Sequence, residues 1–216
     1  MLQDVPVIEV DYDTTQEYKK KRVAAALGRA SASVVYAPID FTRESLGDVL
    51  RRARFRRDRP TYFIAEGLSM YVPEEGMKDT LRAIAAESAP GSALLLEYVN
   101  QGSIDVLQQY PSGMVKNAIG WGEPFVFGVP DGQDREFFRD AGLELGEALK
   151  IGAPEAVKRY AMRGDGTYYG AHLEKQFQQQ REAALKAMDD AGRALMAKAA
   201  ATSGYWLAEL AVPDRP

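Results

Sequence analysis

Three carboxylates stand at comparable points in the first third of the chain: Asp11 in VIEVD, Asp40 in SVVYAPID and Glu66 in TYFIAE. Each follows a short apolar run. One carboxylate can accept both hydroxyls of a ribose as paired hydrogen bonds. A second can accept an exocyclic amine of adenine, and a third can sit near a positive centre or an amino group. Acids of these types suit a nucleoside ligand, provided the fold gathers them. The same residue type also caps helices and solvates loops, and the residues alone leave both uses open.

The elements that would position these acids alternate. Residues 5–10, 33–39, 61–65 and 93–99 read as strands, and 14–27, 41–54 and 73–88 as helices, with Thr14 or Thr15 as a cap and Pro73 in a first turn. Alternation of this kind predicts a mostly parallel sheet covered by helices, and strands apolar throughout agree with burial on both faces. In such a sheet ligands bind outside the carboxyl ends of the strands. Asp11, Asp40 and Glu66 should therefore share one edge, with Glu97 two residues short of the end of its strand. The second half is less regular. Residues 123–129 read as a strand or an extended loop, 132–141 as a short helix and 143–149 as another strand. Residues 163–170 read as a turn, 172–201 as one long helical stretch and 205–212 as a last strand. There is no internal repeat or linker, so residues 1–216 are expected to form a single domain.

Composition narrows the chemistry. The 216 residues are 46% hydrophobic, enough for a sizeable core, and carry a net charge of −4, which does not favour nucleic acid. With no cysteine and one histidine, thiolate chemistry and a His-rich metal centre are excluded, and a Ser-His-Asp triad would depend on His172 alone. No apolar run is long enough to span a bilayer, and the first residues lack the pattern of a secretory signal. A soluble cytoplasmic protein is the expectation, without a membrane or nucleic-acid partner. The basic run RRARFRRDR, residues 51–59, reads as a helix end whose cations favour the dipole, or as a phosphate site. Trp121, Tyr168, Tyr169 and Trp206 are candidates for an apolar pocket, a core or an interface.

Taken together, VIEVDYDTTQEYKKKRV, VVYAPIDFTRESLGDVL, RPTYFIAEGLSMYVPEEGMKDTLRAIAAESAPGSALLLEYV, GEPFVFGV and YWLAELAVP resemble the leucine carboxyl methyltransferase-like family. Within it they resemble the bacterial branch of S-adenosylmethionine-dependent O-methyltransferases linked to polyketide and other secondary metabolism. The resemblance runs from about residue 5 to 161 and resumes at 205. It implies a Rossmann-like methyltransferase fold with helices on both faces of the sheet. It also implies roles: Asp11 on the cofactor ribose, Asp40 and Phe41 beside the adenine, and Glu66 near the methionine end. Tyr71 would border the substrate, with a phenol able to orient a substrate carboxylate; as a plain core aromatic it would do neither.

One part of the family pattern is missing. The glycine-rich cofactor loop belongs to a strand-loop-helix unit before IEVD, but only seven residues precede Ile8 and the first glycine is Gly28. Relative to the family the chain is N-terminally truncated. The missing strand lies at the centre of the family's sheet, between the first and third strands of this chain. Its loss should open a gap and expose two apolar edges. Three arrangements are open: a fragment of a longer protein, a homodimer in which another copy supplies the element, or a closed-up sheet that has lost usual cofactor binding. The expected activity is methyl transfer to a carboxyl or hydroxyl group of a small molecule. A carboxylate needs no base; an alcohol or phenol would lean on His172 or Tyr71. The alternative is a cofactor-independent small-molecule binder or a cyclase-like enzyme on the same scaffold.

Overall fold

The protein was analysed as a computed structural model, which describes residues 5–28, 33–111, 113–170, 172 and 174–214. The first half alternates as its sequence predicts: β1 (Val7–Asp11), α1 (Asp13–Leu27), β2 (Val34–Pro38), α2 (Leu46–Arg52), β3 (Tyr62–Ala65), α3 (Glu74–Glu87) and β4 (Ala93–Val99). Then come α4 (Gln101–Gln109), α5 (Gly113–Gly120), α6 (Asp134–Asp140), β5 (Glu144–Lys150) and the single turn α7 (Pro154–Ala156). The chain closes with α8 (Glu174–Ala187), α9 (Asp190–Thr202) and β6 (Tyr205–Ala211).

Local chemistry sets several boundaries away from the sequence reading. α1 starts at Asp13 behind Tyr12 with no side-chain cap, so neither Thr14 nor Thr15 caps it. Helix α2 begins only at Leu46, because Asp40 first closes a tight turn, its carbonyl accepting from the backbone amides of Arg43 and Glu44 (both 2.9 Å). Ser45 then caps α2, its hydroxyl accepting from Asp48 N (3.2 Å). Pro73 is the cap residue of α3, not part of its first turn. The stretch 172–201 is two helices. Asp189 breaks it by accepting from Gly192 N (2.7 Å) and from the Tyr110 hydroxyl (2.9 Å), which starts α9 afresh.

The strands form two sheets. β1 and β2 pair in parallel, with Asp11 opposite Pro38. The second sheet has the order β3-β4-β6-β5: β3 and β4 are parallel, and β6 runs antiparallel between β4 and β5. The sheet is therefore mixed, with its parallel pairings confined to the first four strands. A single apolar cluster spans both sheets. It takes Ile8, Val10, Ala37 and Ile39 from the first, Phe63, Leu94, Leu96 and Leu210 from the second, and Val49, Leu81 and Phe138 from α2, α3 and α6.

Helix α1 contributes nothing to that cluster and buries only Gln16. It therefore lies across the sheet from α2 and α3. Parallel crossovers are right-handed, so β1-α1-β2 and β3-α3-β4, with their helices on opposite faces, must progress in opposite directions. β1 and β3 are then the inner strands, where the strand order reverses. The expected gap is present: among the described residues β1 pairs only with β2, and β3 only with β4.

Candidate functional site at the strand tips

Asp11 is the last residue of β1, and its Oδ1 accepts the amide of Tyr12 (2.7 Å). Ile39 N donates to Asp11 O (3.0 Å), so the chain leaves β2 at the same end and Asp40 emerges beside it. Asp40 Oδ1 accepts from the Thr42 hydroxyl (2.6 Å) and the Thr42 amide (3.0 Å), while Arg43 Nε lies 3.4 Å from Oδ2. The Thr42 hydroxyl, then its amide, hold this carboxyl below the usual range. Asp40 thus works as a turn cap as well as an edge acid. Phe41 is half-buried against the main core, and its carbonyl lies 3.5 Å from where a Cβ on Gly76 would sit. The β2–α2 loop thus passes close to the backbone of α3 at Gly76.

Glu66 follows β3 and is exposed; Gly67, with φ of 62°, then swings the chain out. Ala65 is opposite Leu96 across β3–β4, so Glu66 comes level with Glu97. Glu97 Oε2 accepts the amide of Gly67 (2.5 Å). Burial, and then a hydrogen bond to Glu97, push the Tyr205 phenol well up. Glu97 and Tyr205 are the residues the sequence reading left without a role. The signal that could have found them is the register, since the shorter β3 brings its last residue beside the interior of the longer β4.

Tyr71 closes a short 3₁₀ turn, Ser69–Tyr71, and is 36% exposed. Its ring stands edge-on to Phe125, with centroids 5.2 Å apart and an interplanar angle of 80°. Burial raises its pKa first, followed by the charges of Glu123 and Glu97. At neutral pH it is therefore a phenol with a proton to donate, not a base.

Of the four aromatic candidates for a pocket, Trp121 and Tyr169 are exposed, and Trp206 is tied by Nε1 to buried Asn100 Oδ1 (2.6 Å). His172 is exposed in the turn before α8. The basic run is met by carboxylates: Glu87 pairs with Arg51 (3.1 Å) and Arg57 (3.0 Å), and Asp58 with Arg56 (2.7 Å). A cavity of about 360 Å³ lies between α3 and α6, bordered by Lys78, Arg82, Gln133 and Phe137. No helix among the described residues is long and apolar enough to cross a membrane.

Parallel strands with acids at their carboxyl ends, and a sheet completed by an antiparallel strand beside β4, define an α/β fold of the Rossmann-like methyltransferase type. The comparisons place it further. The model of the leucine carboxyl methyltransferase family matches residues 1–85 of the chain. A Mycolicibacterium smegmatis protein named "Putative S-adenosyl-L-methionine-dependent methyltransferase/" is 27% identical over 186 residues, 77% of this chain and 59% of that protein. A Mycobacterium tuberculosis protein of similar name is 35% identical over 121 residues, 56% of this chain and 39% of its own. The chain thus spans well under two thirds of these relatives. Among solved structures, a DUF574 family protein from Streptomyces avermitilis superposes with a TM-score of 0.53 at 14% identity, covering 96% of this chain and 65% of that one. PKMT2 from Rickettsia typhi in complex with AdoHcy gives 0.51 at 13% identity, covering 98% and 44%. These structural likenesses establish the fold alone.

Proposed function

We propose that residues 1–216 form one methyltransferase-like domain that binds S-adenosylmethionine and methylates a carboxyl or hydroxyl oxygen of a small molecule, a polyketide-type metabolite, in the cytoplasm. The observation that carries this reading is the register: Asp11 and Asp40 leave the β1–β2 sheet at one end, and Glu66 leaves β3 level with Glu97. The names of the relatives and the AdoHcy bound to PKMT2 support it.

The residues present fit the nucleoside half of the cofactor. Asp11 would take the ribose hydroxyls, Asp40 and Phe41 would border the adenine, and Glu66 would face the methionine end. The interval between β1 and β3 offers no backbone of the described chain for the methionine part to rest on. When bound, the cofactor supplies an electrophilic methyl group for in-line displacement by oxygen. The chain's part is positioning. Tyr71, held protonated, suits an anionic acceptor. Glu97 is engaged by Gly67 and Tyr205, and His172 is exposed in the turn before α8, so a carboxylate acceptor, already ionised, fits better than an alcohol.

Calorimetry with S-adenosylmethionine tests this reading. Binding is expected in the micromolar range, and Asp11→Ala should weaken it by about tenfold or more, the scale of a charge-assisted hydrogen-bond pair. Absence of heat from folded protein refutes it. The unpaired edges of β1 and β3 favour a second reading, a small-molecule binder or cyclase-like enzyme independent of the cofactor. Under that reading Asp11→Ala leaves activity intact.

A further inference from the structure

The end of α2 breaks a local rule. Phe55 N donates to Leu50 O (2.9 Å) and Arg54 N to Arg51 O (3.1 Å), the paired bonds of a Schellman C-terminus. The residue after the cap, Arg54, takes a φ of 56°. Glycine ordinarily stands there, because a Cβ is strained in the left-handed region. Among the described residues Arg54 is the one non-glycine with positive φ. The turn is firmly held: Leu50 and Phe55 pack in the main core, and Phe55 meets Phe63 with ring centroids 5.7 Å apart. An anchored turn that keeps an arginine where glycine fits more easily puts that arginine on display, and strain retained in this way points to function.

Arg54 belongs to a wider patch. Residues 51–59 hold six arginines, no lysine and one aspartate, a charge of +5 on a chain of net −4, so the remaining residues carry −9. All six arginines are exposed. Four of them already grip carboxylates. Arg51 and Arg57 share Glu87 (3.1 and 3.0 Å), Arg51 also pairs with Asp48, Arg52 takes both oxygens of Glu44 (3.2 Å each), and Arg56 takes both of Asp58 (2.8 and 2.7 Å). Arg54 and Arg59 form no ion pair among the described residues, although the charge of Arg59 reaches Asp58. The dipole of α2 is met by Arg51 and Arg52 in its last turn, so it does not call for the other two. The run leads into the amino end of β3, whereas Glu66 follows the carboxyl end. The patch therefore stands at the sheet edge opposite the candidate site.

We propose that this patch binds a short acidic segment of a partner polypeptide, whose carboxylates are received by Arg54 and Arg59 as Glu44 and Asp58 are received by Arg52 and Arg56. A planar guanidinium matches a carboxylate with two parallel bonds, which an ammonium group does not do. The −9 of the remaining residues decides the kind of polyanion. A duplex or an anionic membrane extends past a nine-residue patch and comes within a Debye length, about 8 Å, of that negative remainder. A short acidic segment touches the patch alone. The inference goes beyond the methyltransferase reading and does not rest on it, since its test contains no cofactor.

Fluorescence anisotropy with the 216-residue protein is the test. The probe is a labelled peptide of about ten residues in which aspartate and glutamate alternate with glycine; the control carries asparagine and glutamine instead. At low salt the acidic probe should bind about tenfold or more tighter than the control, and the difference should shrink by about tenfold between about 0.05 and 0.3 M salt. Arg54→Gly should weaken binding about threefold, and Arg54→Gly combined with Arg59→Gln about tenfold. The melting temperature of Arg54→Gly should hold or rise, because glycine suits the left-handed turn. Arg139→Gln, which removes an exposed charge from α6, should leave binding unchanged. Three results overturn the proposal: no preference for the acidic probe, undiminished binding in the double variant, or a melting temperature that falls in Arg54→Gly and so makes the guanidinium a brace of the fold. Tighter binding of a short DNA duplex, or of phosphatidylserine–phosphatidylcholine vesicles, at the same ionic strength also overturns it. A protein that binds the peptide but not S-adenosylmethionine, or the reverse, separates this inference from the proposed activity.

Discussion

Asn100→Ala is the most demanding single test of how the strand tips are held. Asn100 follows β4 and is 1% exposed. Its Oδ1 accepts from Gly204 N (3.0 Å) and Trp206 Nε1 (2.6 Å); its Nδ2 donates to Asp134 Oδ1 (2.8 Å) and, at a weak 3.4 Å, to Val129 O. One side chain thus ties the end of β4 to the start of β6 and to the first turn of α6. Alanine leaves two donors without their acceptor, one of them on buried Gly204. Each such loss costs about 1–3 kcal/mol, and the vacated volume adds a smaller amount. The sum is about 3–4 kcal/mol, a large part of the stability of an ordinary domain. Equilibrium urea unfolding read by tryptophan fluorescence measures it, because Trp206 reports from the node itself. At a slope of about 2 kcal/mol per molar urea, the midpoint should fall by about 1.5–2 M with the slope unchanged. A loss below about 1 kcal/mol would refute the node as drawn.

Three further outcomes are expected, besides the acidic-peptide test. Gly128→Ala should destabilise by about 2–3 kcal/mol in the same unfolding assay, because its Cβ would lie 2.6 Å from Gln101 N and 2.7 Å from Asn100 C, backbone atoms that cannot swing aside. Alkali should unfold the protein. Burial, then bonds to Asp134, Glu209 and Glu97 respectively, raise Tyr98, Tyr160 and Tyr205 above the ordinary 10.0, Tyr160 to about 12. The unfolded chain therefore ionises first, so stability is full below pH 10 and falls as the pH rises through the raised values. Tyrosinate absorbance that reaches its full value for all eleven tyrosines before circular dichroism is lost would contradict this. Asp11→Ala should weaken calorimetric binding of S-adenosylmethionine while leaving the free energy of unfolding within about 0.5 kcal/mol of the parent, as expected away from buried networks.

The strands of the first half were legible because they are continuous apolar runs between turn residues: β4 falls on residues 93–99 as read, β2 and β3 lie within the runs read as strands, and β1 runs one residue past residues 5–10, to Asp11. That Asp11 and Asp40 leave their sheet at one end was legible too, since a parallel ladder places strand ends in register. Helix ends were less so. Asp40 and Asp189 hydrogen-bond to nearby amides, and such local bonds start or delay a helix without altering the apolar pattern. The basic run could not be assigned from charge alone, because Glu87, which pairs with both Arg51 and Arg57, lies in α3, a different helix.

By itself the sequence determined which segments of the first half become strands and that their tips carry Asp11, Asp40 and Glu66, for these follow from local pattern and order. Only the tertiary structure decided that β6 runs antiparallel between β4 and β5, that Glu97 meets Gly67 and Tyr205, and that Asn100 gathers β4, β6 and α6. The physical reason is range. Periodicity records which face of a segment is buried, whereas partners more than a hundred residues apart, such as Asn100 and Trp206, are chosen by how the packed layers meet.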